Sequence, residues 1–186
     1  YPDSRFAVPS RYENALVAFK LGKHDEVIRQ GEALGNAGDL TEDLYWLLAE
    51  SYAASGDGDK AIQYYRMIAD EFPDSEQAAP SLYRVARLLQ DRKDYAPASD
   101  IYRSLARRYA DHELAPKALF GSAFCRTRLD QYAEALNDWG HVVEKYPQAA
   151  EAEESLFQQG LAEAGLEKSG DSERTLRKYL KQYADG

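Results

Sequence analysis

Three histidines and one cysteine are the residues best suited to chemistry. Their spacing in the sequence indicates neither a catalytic site nor a metal site. His24, His112 and His141 are widely separated, and the closest two are 29 positions apart. Cys125 has no histidine near it in sequence, whereas a cysteine nucleophile needs a partner that favours the thiolate. We therefore interpret Cys125 as a buried structural thiol and predict that the chain is not an enzyme and has no catalytic residues.

The acidic clusters do not match a cation-binding loop. Asp57 and Asp59 lie in a short turn, and the carboxylates at 151–154 precede an apolar helical pattern. Neither group has the ligand spacing of a calcium loop, and negative charge near a helix N-terminus is favourable by itself. Gly56–Gly58 follows a helix instead of a strand, so it does not read as a phosphate loop. We predict no metal and no cofactor.

Composition limits the class of partner. The chain has 186 residues, 44% of them hydrophobic, and a formal net charge of −9. Such a charge disfavours nucleic acid and anionic membranes, so a basic or weakly charged protein or peptide is the expected partner. No apolar run approaches the roughly 20 residues of a membrane-spanning helix, and we predict no membrane insertion. A single cysteine excludes an internal disulfide.

Several sets of residues recur at one step, which indicates internal repeats. The step is 37 residues within each set, and one more repeat precedes them at a step of 34. The sets are an aromatic helix end (Phe72, Tyr109, Tyr146, Tyr183), a small first-helix residue (Ala15, Ala49, Ala86, Ala123, Gly160), an aromatic first-helix residue (Tyr12, Trp46, Tyr83, Phe120, Phe157) and a small second-helix residue (Ala61, Ala98, Ala135). The five resulting units cover about residues 9–40, 41–75, 78–112, 115–149 and 152–185.

Each unit is predicted to form two helices joined by a tight turn. Gly56 can supply the positive φ that ends a first helix, and Pro73 ends a second helix because proline cannot donate to the helical ladder. The predicted pairs are 10–21 with 24–35, 42–55 with 58–71, 77–91 with 94–108, 114–128 with 131–145, and 151–167 with 171–183.

The two ends of the chain depart from the regular pattern. In the last unit we predict a turn at about 167–171 with three extra residues, which would place Thr175 at the small second-helix position. Residues 1–4 resemble the segment that follows a second helix. We therefore expect a single repeat segment, 1–186, excised from a longer array.

The repeat resembles the tetratricopeptide repeat (TPR) family. One full unit shows the resemblance through Leu44–Tyr52, Gly56-Asp57, Ala61-Ile62, Tyr64-Tyr65 and Phe72-Pro73. The resemblance implies an all-α fold, a right-handed α-α superhelix of five helix-turn-helix repeats, in which the first helices line a concave groove. The 37-residue step with an aromatic-proline boundary is similar to that of bacterial envelope TPR proteins, namely the periplasmic protein associated with the Tol-Pal system and the lipoprotein of β-barrel assembly.

Residues on the groove side of the first helices are the candidate partner-binding residues. By resemblance to the family they are Tyr12, Trp46, Glu50, Tyr83, Arg87, Phe120, Phe124, Arg128 and Phe157. Aromatic side chains there could anchor a peptide, although they could equally be core between neighbouring repeats. Glu50, Arg87 and Arg128 are the candidates for specificity. The family's carboxylate-gripping basic cluster is not expected, because its positions hold residues such as Leu16 and Trp46.

The predicted function is a protein-interaction scaffold that binds a protein or peptide in its groove, in the periplasm or at the outer membrane, or alternatively in the cytoplasm. Two other functions stay open. The segment could serve structural assembly or weak self-association in export machinery, or it could regulate a larger multidomain protein.

Overall fold

Ten α-helices account for most of the described part of the chain. The computed structural model describes residues 7–35 and 37–183, and no strand occurs among them. The helices are α1 Ala7–Lys20, α2 His24–Leu34, α3 Thr41–Ala54, α4 Gly58–Glu71, α5 Ala78–Asp91, α6 Tyr95–Arg108, α7 Leu114–Thr127, α8 Tyr132–Lys145, α9 Glu151–Gly165 and α10 Ser169–Tyr183, with a 3-10 turn at Gly38–Leu40. Every predicted helix is present with ends within three residues of prediction. The proposed repeat tail at 1–4 and the last residues, 184–186, lie outside the described residues.

The chain divides into two compact units, Tyr1–Leu88 and Leu89–Gly186. In the first unit, α1 packs on α2, α2 on α3, and α3 on α4, and α1 also touches α3. The second unit repeats the scheme from α6 to α10, and α7 also touches α9. Packing of each helix on the next, and of first helices on one another, is the arrangement of a helical-hairpin repeat.

Small residues at the helix crossings let each pair of helices approach closely. The predicted alanines are fully buried, namely Ala15, Ala49, Ala61, Ala86, Ala98, Ala123 and Ala135. Three large residues recur at one position of the second helices and are buried as well, namely Tyr65, Tyr102 and Trp139. Because the core is close-packed at these positions, the pattern of small and large residues determines the approach of the helices.

One residue in each hairpin turn has a left-handed backbone. The residues are Gly22, Gly56, Lys93, Asp130 and Glu167, with φ between 58° and 85°. In the second hairpin, the Asp57 amide donates to the Tyr52 carbonyl at 2.9 Å, and the other four turns contain the equivalent hydrogen bond. This is the Schellman arrangement, in which a left-handed residue ends a helix and satisfies its last carbonyls.

The last repeat is regular, so the predicted insertion is wrong. Its left-handed residue, Glu167, lies 37 residues after Asp130, and α10 begins 37 residues after α8. The small second-helix position therefore belongs to Ser172 and not to Thr175. Ser172 is buried, and its hydroxyl donates to the Gly160 carbonyl at 2.8 Å. Serine fits the crossing because this hydrogen bond satisfies its buried hydroxyl.

Lys93→Gly should stabilise the chain by about 0.5–1 kcal/mol, because glycine has no Cβ to strain a positive φ. Lys93 suits this test better than Asp130, whose carboxylate accepts a hydrogen bond from Tyr132 at 3.1 Å. Thermal unfolding followed by circular dichroism should show a rise in Tm. Gly56→Ala serves as the reverse control and should lower Tm, and a fall in Tm for Lys93→Gly would contradict the prediction.

Candidate partner-binding surface

The aromatic first-helix residues are half-buried and take part in packing. In the first unit, Tyr12 packs against the cluster of Ala18, Val27 and Leu47, and the Trp46 ring meets the Tyr65 ring edge-on at 5.6 Å. These two candidates therefore contribute core contacts, which is the second of the two roles considered for them.

In the second unit, the aromatic first-helix residues are likewise half-buried and take part in core packing. Phe120 packs against the cluster of Ala123, Ala135 and Trp139, and the Phe157 ring lies 5.3 Å from the Tyr179 ring. Both phenylalanines are half-buried. Aromatic contacts of this kind fix the rings, so any partner would meet a rigid apolar surface.

Glu50 has an internal role that the sequence did not reveal. Its carboxylate accepts a hydrogen bond from the buried Tyr65 hydroxyl at 2.5 Å and forms an ion pair with Arg84 at 3.2 Å. Burial, and next the hydrogen bond to Glu50, raises the pKa of Tyr65. Glu50 therefore satisfies a buried hydroxyl, and replacing it would leave that hydroxyl without its acceptor.

The arginine candidates are the exposed members of the set. Arg87 and Tyr83 lie on α5 in the first unit, with Arg87 exposed and Tyr83 half-buried. On the second unit the Arg128 guanidinium lies over the Phe124 ring at 5.0 Å from its centroid. Leu161, at the position on α9 that Phe124 has on α7, is 46% exposed. We call Phe124, Arg128 and Leu161 the first-helix face.

A buried polar group between α7 and α8 was missed by the sequence reasoning. Asp138 is 1% exposed and accepts a hydrogen bond from the Ser122 hydroxyl at 2.6 Å. The Arg126 and Arg103 guanidiniums each reach its carboxylate at 3.4 Å. Burial raises the pKa of Asp138, and the hydrogen bond from Ser122 and the two guanidiniums oppose this shift.

The repeat alignment contains a signal that could have found this group. Arg126 and Asp138 hold the positions that Tyr52 and Tyr64 hold two repeats earlier. The tyrosine rings stack there, with centroids 5.7 Å apart. The repeat between them has Leu89 and Ile101 at these positions, so opposite charges in both columns predict a buried ion pair, because an isolated charge would be costly there.

The described residues contain no cluster of three or more histidine, cysteine, aspartate or glutamate side chains able to hold a metal. No helix in that part of the chain has both the length and the apolar character needed to cross a bilayer. Of the histidines, His24 lies 3.4 Å from the Ser51 hydroxyl, and His112 accepts from the Leu114 amide at 3.1 Å. Neither of these contacts involves the thiol of Cys125.

Cys125 should react slowly with a disulfide reagent in the folded chain. The thiol is fully buried, and burial raises its pKa from the ordinary 9.0 to about 11. At pH 8 this leaves roughly a hundredfold less thiolate than in the unfolded chain, and thiolate is the reactive form. Reaction with Ellman's reagent, with and without guanidinium chloride, measures the difference. Equal rates in the two conditions would contradict the buried-thiol interpretation.

Comparison with known proteins gives the family. The family model of SNAP, soluble NSF attachment protein, matches residues 27–184, which is most of the chain. The chain belongs to the SNAP family. No curated protein sequence matches this SNAP-family chain.

Solved structures with similar folds include MamA and RapI. A MamA AMB-1 structure has a TM-score of 0.67 at 12% identity, with 98% of this chain and 94% of that chain covered. A second MamA crystal structure gives 0.69 at 15% identity, covering 96% and 92%. Apo RapI gives 0.70 at 14% identity, covering 95% of this SNAP-family chain but 53% of RapI. At these identities the likeness shows the fold alone.

The fold class predicted from the sequence, an all-α superhelical repeat of TPR type, is thereby confirmed. The family is described as one of attachment proteins, and this supports a protein-interaction scaffold with a protein partner. The nine candidate binding residues, the single-segment organisation and the envelope-type repeat stay predictions.

Proposed function

We propose that this SNAP-family chain is a non-catalytic scaffold that binds a protein partner through the exposed parts of its first helices. The observation that carries the proposal is the first-helix face of the second unit. It presents an exposed guanidinium stacked on a ring, with an exposed leucine on the neighbouring helix. Arginine, aromatic and apolar side chains fixed by such contacts are the usual content of binding hot spots.

Contacts within the protein explain why this face suits a test of binding better than the other candidate residues do. Trp46 and Glu50 both contact Tyr65, so changing either one would disturb the core of the first unit. Arg128 and Leu161 are exposed, and their replacement should leave the packing intact. A binding defect in a variant of these two residues can therefore be assigned to the surface.

The test is cross-linked capture from an extract of the source cells with Arg128→Glu/Leu161→Ser. Its matched control is Lys178→Glu/Leu180→Ser, which makes the same chemical changes on α10, where Leu180 is 58% exposed. We expect mass spectrometry to identify a partner captured by the original chain and the control and lost by the variant. Equal capture by all three would place binding on another surface.

The same preparations test self-association. If none of the three captures a partner and light scattering shows a mass that rises with concentration, the structural-assembly function would replace the proposed one. Circular dichroism and Tm must first show that the variant and its control are folded like the original.

We further propose that the scaffold acts in the bacterial cell envelope, in the periplasm or at the outer membrane. The support is the style of the repeat, a 37-residue step with an aromatic residue before Pro73 and Pro147. Fractionation of the source cells with an antibody against the native protein tests this location independently of binding. Recovery in the cytoplasmic fraction alone would overturn it.

A further inference from the structure

A basic cleft lies on the second unit, and none of its described lining residues belongs to the first-helix face. It has a volume of about 530 Å³ and is lined by residues of α6, α7 and α8. Arg103, Arg107, His141 and Lys145 line it, whereas Asp100 is its one acidic residue among the described lining residues. We propose that this cleft binds an acidic peptide segment of a partner protein.

Charge is the first support for this occupant. The chain carries a net charge of −9, yet this cleft collects three permanent cations and one carboxylate. In the described part of the chain, Arg107 and Lys145 form no ion pair, so their charges are available to a ligand. A locally positive cleft on an acidic protein favours glutamate and aspartate side chains over the rest of the surface.

The repeat pattern shows that these charges are not needed for folding. The position of Arg107 on α6 is held by Asp70 on α4 and by Glu144 on α8. The position of Lys145 on α8 is held by Glu71 on α4. The same positions also hold Arg108 on α6 and Lys181 on α10, so the repeat accepts either sign of charge there and folding does not require the positive charge of this cleft.

An ion pair with a buried carboxylate anchors the Arg103 side chain. Its guanidinium forms an ion pair with the buried Asp138 at 3.4 Å, and Arg126 lies at the same distance from that carboxylate. Two guanidiniums therefore share one carboxylate, which leaves net positive charge beside the cleft. Because the arginine is anchored yet half-exposed, less side-chain entropy is lost when it binds a second carboxylate.

The cleft also has apolar walls, which favours a peptide over a small anion. Leu119 and Ala106 line it together with the Tyr146 ring, whose hydroxyl donates to the Ala110 carbonyl at 2.9 Å. A volume of about 530 Å³ exceeds what a single phosphate fills and falls within the range of ligand pockets. A peptide with carboxylates beside an apolar side chain would contact both the basic residues and the apolar walls of the cleft.

Fluorescence anisotropy tests the proposal with a labelled peptide of about ten residues that alternates glutamate and leucine. Its comparison peptide replaces each glutamate with glutamine. The variant is Arg107→Glu/Lys145→Glu, and the control is Lys178→Glu/Lys181→Glu, which makes the same change of charge on α10. We expect saturable binding of the glutamate peptide, weakened about tenfold or more by the variant and less than about twofold by the control.

The milder pair Arg107→Gln/Lys145→Gln guards against a folding defect, and circular dichroism must show unchanged helix content. Equal binding of the glutamine peptide, equal loss in the control, or no saturable binding by the original chain would each overturn the proposal. Displacement of the peptide by inorganic phosphate at matched ionic strength would assign the cleft to small anions instead. A mass that rises with concentration for the original chain but not for the variant would assign it to a second copy.

The outcome is separable from that of the proposed function. Arg128→Glu/Leu161→Ser should leave binding of the glutamate peptide unchanged, since neither residue lines the cleft. A failure of the proposal for the cleft can therefore be distinguished from a failure of the proposal for the first-helix face.

Discussion

Replacing Asp138 with alanine should lower the free energy of unfolding by about 3–5 kcal/mol, because it removes the carboxylate from a buried ion pair and leaves its partners behind. Arg126 is 8% exposed and would stay buried without a counter-charge. Ser122 would lose the acceptor of its 2.6 Å hydrogen bond. Urea denaturation followed by circular dichroism measures the change.

Two further variants separate charge from shape at this site. Asp138→Asn keeps the shape and a hydrogen-bond acceptor, so it should cost clearly less than alanine. Arg126→Leu/Asp138→Ile places the residue types of Leu89 and Ile101, which hold these positions one repeat earlier. This double variant should recover most of the stability, since an apolar pair of suitable size can replace a buried ion pair. A double variant as unstable as alanine would contradict this explanation.

The same carboxyl group should give stability a dependence on pH. Burial raises the pKa of Asp138 in the folded chain above its unfolded value of 3.8. The part of the stability that is linked to this titration is therefore complete below that unfolded value and is lost as the pH rises through the folded-state pKa, whereas the contacts of the carboxylate that alanine would remove are a separate contribution. The difference in unfolding free energy between the original chain and Asp138→Asn, measured across acidic pH, should follow this sign. A difference of the opposite sign would show that the guanidiniums outweigh burial.

Gly121→Ala should destabilise the chain by about 2 kcal/mol, although alanine is the better helix former. A Cβ at this position would lie 2.8 Å from two ring atoms of Tyr102. That ring cannot move easily, since Tyr102 is 1% exposed and its hydroxyl donates to Gln90 at 2.9 Å. Thermal unfolding measures the loss.

Gly140→Ala is the matched control for this clash. Gly140 lies inside α8, and a Cβ there would meet no heavy atom within 4 Å. The control should stabilise by up to about 1 kcal/mol, because alanine has less backbone freedom to lose than glycine. Both variants share the gain in helix propensity, so the difference between them isolates the contact with Tyr102. Equal effects of the two substitutions would contradict the proposed clash.

The helices and the core were predictable because they depend on local rules and on a period. Ala49, Ala86 and Ala123 recur at one step, and all three are fully buried. Gly56 and Pro73 end helices through backbone constraints that act over a few residues. The small first-helix residue recurs in all five units, so the period predicts the helices even in units that lack the turn glycine or the proline.

The error in the last repeat had a specific physical cause. The three extra residues predicted for the turn at 167–171 moved the small second-helix position to Thr175. Glu167 does adopt a positive φ, as Lys93 and Asp130 do at the same position. The Schellman hydrogen bonds evidently offset the strain of a side chain there, and periodicity was the better guide than turn composition.

The polar contacts of the candidate site were not predictable from type and spacing alone. Glu50 was interpreted as a free groove residue, but it meets Tyr65, which is 15 residues away, and Arg84, which is on another helix. Whether a half-exposed carboxylate faces a partner or a neighbouring side chain depends on rotamers and on helix approach. A repeat pattern records only the size and hydrophobicity of side chains, so it predicts neither their rotamers nor the approach of the helices.

The residue pair that joins the two helices differs from one hairpin to another, and this difference affects how a chain of repeats avoids mispairing. Arrays of similar hairpins can swap neighbours during folding, since each second helix resembles the others. Tyr52 and Tyr64 stack within one hairpin, whereas Arg126 and Asp138 form the ion pair of another. If α7 folded onto α4, an arginine would meet a tyrosine and the aspartate would be left unmatched. The differing pairs therefore disfavour an exchange between these two hairpins.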